Sequence, residues 1–96
     1  MIAHVSTWEG GTAEGIRAAA EEIRSNLSLG PPAGLKSTGL TMLVDPEGGR
    51  VLMIGLFATE ADLRESEPVL EQMNPPEGLG SRTAVDIYEV GAEARL

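Results

Sequence analysis

Apolar and polar positions change period several times along this chain, and each change marks an element. Residues 2–9 alternate, with Val5 and Thr7 adding β-branched character, and predict a strand closed by Gly10-Gly11. From Thr12 the period lengthens. Ile16, Ala19, Ala20, Ile23 and Leu27 recur at helical spacing, with Thr12 as the N-cap and Glu14 in the first turn. Arg17 and Glu21, four apart, are spaced for a helix-surface ion pair. Gly30-Pro31-Pro32 ends that helix. A second strand is expected over 35–44 and a third over 51–58, joined by the turn Asp45-Pro46-Glu47-Gly48-Gly49. The third strand is nearly all apolar, as suits a central strand covered on both faces.

Thr59 and Asp62 resemble a capping box for a second helix that turns Leu63, Leu70 and Met73 inward. Pro68 inside that helix predicts a break or kink near Ser66-Glu67. Residues 74–80 read as a loop, 81–90 as the last strand and 91–96 as a frayed tail. Strand, helix, strand, strand, helix, strand is the split βαβ order. The expected fold is α+β, a ferredoxin-like βαββαβ domain with a four-stranded antiparallel sheet.

Composition narrows the field. At 96 residues the chain is read as a single domain, 1–96. Only Trp8, Phe57 and Tyr88 are aromatic, so the core must be aliphatic. There is no cysteine, which excludes disulfides, thiolate nucleophiles and cysteine metal sites and agrees with a cytoplasmic protein. No targeting segment or membrane-spanning window is evident. Fifteen acidic residues against 7 basic ones give a net charge of −8, and the single lysine and scattered arginines form no cluster. Nucleic acid and anionic membranes are therefore poor partners.

The strand faces suggest assembly. Placing Val5, Val85 and Ile87 under the helices leaves His4, Ser6, Trp8, Asp86 and Tyr88 on the opposite face. Leu52, Ile54 and Leu56 alternate with Val51, Met53 and Phe57, so neither side of the third strand suits water. A two-fold homodimer packed sheet on sheet would cover the bare face, with Trp8 and Met53 expected in that interface.

The element order, the Phe57-Ala58-Thr59-Glu60-Ala61-Asp62-Leu63 junction and the final Val85-Asp86-Ile87-Tyr88-Glu89-Val90 strand resemble the dimeric α/β-barrel superfamily, in particular antibiotic-biosynthesis monooxygenase-like domains. The resemblance implies a homodimeric α/β barrel with a ligand pocket between sheet and helices. It also implies, for some members, oxidation of an aromatic polyketide or quinol by oxygen without a cofactor. Catalytic members often place Asn, Trp, Tyr, His or Arg around the pocket. Here that points to His4 and Asn74 for proton removal and to Trp8, Tyr88, Asp86 and Arg82 around a small hydrophobic or aromatic ligand.

Each candidate has a plainer reading. His4 is the only histidine, and a metal site needs more than one such ligand, so no metal is expected. A polar residue on a buried sheet competes with a general base. Trp8 either stacks on a flat ligand or fills the dimer core. Asp86 and Tyr88 share a face and form either an acid/base pair or interface hydrogen bonds. Gly10-Gly11 reads as a turn, since no phosphate-loop spacing follows. The function expected is cofactor-independent oxygenation of a small aromatic or quinol-type metabolite. The alternatives are a non-catalytic binding module and a structural or stress-associated dimer.

Overall fold

The computed structural model describes residues 1–30, 32–72, 77–94 and 96 of the chain. Its elements run β1 (Ile2–Gly10), α1 (Ala13–Leu27), β2 (Ser37–Asp45), β3 (Arg50–Phe57), α2 (Glu60–Gln72) and β4 (Gly80–Glu89). The strands form one antiparallel sheet in the order β2-β3-β1-β4. This is the expected α+β, ferredoxin-like arrangement.

The caps form as the sequence predicts. Thr12 Oγ1 accepts from the Gly15 amide at 3.0 Å, and Thr59 Oγ1 accepts from the Asp62 amide at 3.1 Å. Each hydroxyl satisfies an amide that has no partner within its helix. The turn closes through Asp45, whose Oδ1 accepts from the Gly48 amide at 3.0 Å. Two local expectations fail. Helix α2 runs unbroken through Pro68, which is exposed, so the missing amide costs one ladder bond on the solvent side rather than ending the helix. Arg17 pairs with Glu47 of the turn at 3.3 Å, and Glu21 pairs instead with Arg24 at 2.8 Å. All four groups are exposed, so these pairs contribute little to stability.

The core lies between the helices and one face of the sheet. Ile16 and Ala19 of α1, Val51 of β3 and Leu79 ahead of β4 are buried together, with Trp8, Met42 and Met53 packed against them. Phe57, at the other end of β3, and Leu63 of α2 are also buried. Ser66 of α2 is fully buried, and its hydroxyl accepts from the Lys36 amide at 2.9 Å, which ties α2 to the start of β2.

The segment before β4 is fixed by close backbone approach. Gly78 has φ +99°, and a Cβ there would lie 2.8 Å from the Gly15 Cα. Only glycine permits both that conformation and that contact. The approach seats Leu79 against α1 and sets where β4 begins.

Candidate functional site: a ledge beside β1 and β4

Register settles the faces, because residues directly opposite in an antiparallel sheet project to the same side. Trp8, Ser6 and His4 lie opposite Val51, Met53 and Gly55. Val51 and Met53 belong to the helix-side core, so His4, Ser6 and Trp8 face the helices. The expectation that they line the bare face is wrong, and the phase of β1 is the reason. Ala3, Val5 and Thr7 lie opposite Leu56, Ile54 and Leu52 and form the open face. Val85 and Ile87 do sit on the helix side, opposite Ser6 and His4, while Asp86 and Tyr88 sit on the open side, opposite Val5 and Ala3. Trp8 and Met53 are therefore core contacts of the fold, not residues of the open face.

Arg82 joins His4 and Trp8 through a break in the β1–β4 register. Ala84 lies opposite Thr7, but Arg82 rather than Thr83 lies opposite Trp8. The extra residue is a β-bulge, a device that re-aims a side chain. Without it, Arg82 would stand opposite Glu9 and on the open face. The bulge thus brings the guanidinium to the Trp8 side of the sheet.

The result is a ledge. Helix α2 packs over β1, β2 and β3, whereas every residue of β4 is exposed. Val85, at 44% exposure, and Ile87, at 55%, form an apolar floor next to β1. His4 and Trp8 are four residues apart on β1, about 13 Å along the strand. Between them stands Ser6, whose Oγ accepts from the Trp8 indole Nε1–H at 3.3 Å. Glu67 of α2 stands on the helix side.

Electrostatics differ between the two ends. Partial burial pushes the His4 imidazole below its usual pKa, the Arg82 charge pushes it in the same direction, and Glu67 opposes them. His4 is consequently neutral at pH 7, able to accept or donate one hydrogen bond. Arg17, Arg24, Lys36 and Arg64 each hold a carboxylate partner. Arg82 has no ion-pair partner among the described residues.

Of the residues picked from the sequence, His4, Trp8 and Arg82 converge on the ledge. Asp86 and Tyr88 share the other face and cannot act with His4 as an acid/base set. Asn74 lies outside the described residues, as does Met73. Glu67, Val85 and Ile87 complete the ledge, and nothing in the spacing of Glu67 marks it in the sequence. Among the described residues no group of three or more potential ligands is arranged to hold a metal ion, and no helix is long and apolar enough to cross a membrane. A depression of about 460 Å³ between Thr7, Leu43, Arg50 and Leu52 lies on the open face, away from these residues. Neither family models nor curated protein sequences give a match to the chain.

Proposed function

We propose that this protein is a homodimer of the antibiotic-biosynthesis monooxygenase-like kind that binds a small aromatic or quinol-type metabolite on the ledge. The observation that carries the proposal is the bulge that puts Arg82 on the same side as His4 and Trp8. One aromatic wall, one neutral imidazole and an apolar floor suit a flat ring with exchangeable protons.

The open face supports the dimer. Val5, Leu52, Ile54, Leu56, Leu43 and Tyr88 form an apolar surface interrupted in its central rows by Thr7, Thr41 and Asp86. Leu43 and Tyr88 are 49% and 55% exposed. A second copy laid face to face removes that patch from water.

In the oxygenation reading, neutral His4 takes a proton from an activated ring methylene. The resulting carbanion reduces oxygen, one oxygen atom becomes the ring carbonyl, and the other leaves as water with the two methylene hydrogens. Oxygen uptake with an anthrone or quinol, abolished by His4→Ala in a folded protein, is the expected result. A second reading, binding without turnover, is favoured by the separation of Asp86 and Tyr88 from His4, which leaves the imidazole without an acid/base partner of their kind. Ligand-dependent melting shifts with no oxygen uptake would select it.

A further inference from the structure

The charge layout of the ledge goes beyond the binding proposal and rests on it. One end holds Arg82, without an ion-pair partner among the described residues, beside the Trp8 ring. The other holds a neutral imidazole near the Glu67 carboxylate. Between them the floor is Val85 and Ile87. The Arg82 charge acts on the His4 imidazole more strongly than Glu67 does, so the cation prevails over the carboxylate along the ledge, and its guanidinium can bind a carboxylate through two parallel hydrogen bonds. The chain carries net charge −8, so an anionic ligand is held only where a local cation outweighs the background.

The register explains why Arg82 is available. Thr83 occupies the extra position, and its hydroxyl donates to the Thr7 carbonyl at 3.4 Å, which anchors the bulge. The Trp8 indole N–H is already committed to Ser6. The polar group left for a ligand at that end is thus the guanidinium, and the indole offers its ring.

We infer that the ledge selects a flat aromatic carboxylate, with the carboxylate on Arg82, the ring along Trp8, Val85 and Ile87, and a neutral hydroxyl toward His4. A ring system of two fused rings can carry a carboxylate and a hydroxyl at opposite ends, as the placement of Arg82 opposite Trp8 and of His4 four residues along β1 requires.

The probes are 6-hydroxy-2-naphthoate and its neutral amide. Affinity is measured by calorimetry, and the site is read from the indole N–H resonance of Trp8, the only tryptophan. The carboxylate is expected to bind roughly tenfold more tightly than the amide, because a charge-assisted pair replaces a neutral contact. Both are expected to shift the Trp8 resonance. Arg82→Gln is expected to bring carboxylate and amide to equal affinity, and Arg82→Lys to restore part of the preference. Equal affinity of acid and amide for the wild-type protein, with the Trp8 resonance shifting, would overturn the carboxylate assignment and leave aromatic binding standing. Failure of both probes to bind at millimolar concentration would overturn the two together.

Discussion

Ile54→Asp places a carboxylate at the centre of the open sheet face, between Val5 of β1 and Thr41 of β2. Ile54 is only half-buried in the single chain and lies on the opposite side from Val51 and Met53. The helix-side core is untouched, so the cost to the monomer is the lower strand preference of Asp, about 1 kcal/mol. In a face-to-face dimer the same change removes an apolar contact and buries an unpaired charge, together about 3 kcal/mol per protomer at a cautious value. A two-fold interface counts this twice, for roughly 6 kcal/mol, or about 10⁴-fold in dissociation constant. Sedimentation velocity over a concentration series should show a folded monomer for this variant, against the dimer expected for the unmodified protein. Met53→Asp is the contrast. Met53 packs on Ile16, Ala19, Val51 and Leu79, so the buried charge should unfold the chain rather than dissociate it. An Ile54→Asp protein that stays dimeric at unchanged affinity would refute the face assignment.

Further outcomes follow from His4 and from Gly78. His4 should titrate below the unperturbed value of 6.5 by NMR, and Arg82→Gln should raise it while Glu67→Gln lowers it. The unfolded chain then binds the His4 proton more readily, so this group's contribution to stability falls as pH drops through 6.5 and levels off below the folded-state pKa. Gly78→Ala should cost about 3 kcal/mol, from a left-handed φ and a backbone clash with Gly15, and should be seen as a lower denaturant midpoint with an unchanged m-value.

The elements were legible because their signals are local. Thr12 and Thr59 cap the helices they precede, the Asp45-Gly48 contact closes the expected turn, and strand order follows from the succession of elements. The phase of β1 was not legible. Ile2, His4, Ser6 and Trp8 alternate with Ala3, Val5 and Thr7, and neither set is decisively more apolar, so β-branched Val5 points to the wrong face. What decides the phase is non-local: His4 stands opposite Gly55, which has no side chain, and Trp8 stands opposite fully buried Val51. The bulge was equally silent, because Arg82-Thr83 carries no glycine or other turn signal. The candidate site could thus be named as His4, Trp8 and Arg82 without knowing that they converge, and could not be separated from Asp86 and Tyr88. Pro68 does not break α2, since an exposed proline in a helix otherwise held by packing removes a single bond.

The ledge joins the first strand of the sheet to the last. Thr83 reaches Thr7 across 76 positions of chain. Such a contact forms only after the entropy of closing a long loop has been met, so it raises the contact order of the fold and slows its completion. The ledge has no local precursor: neither half of the chain, folded alone, contains both His4 and Arg82. Any molecule that binds there recognises the finished topology and therefore stabilises the whole native state against global unfolding, rather than ordering one hairpin.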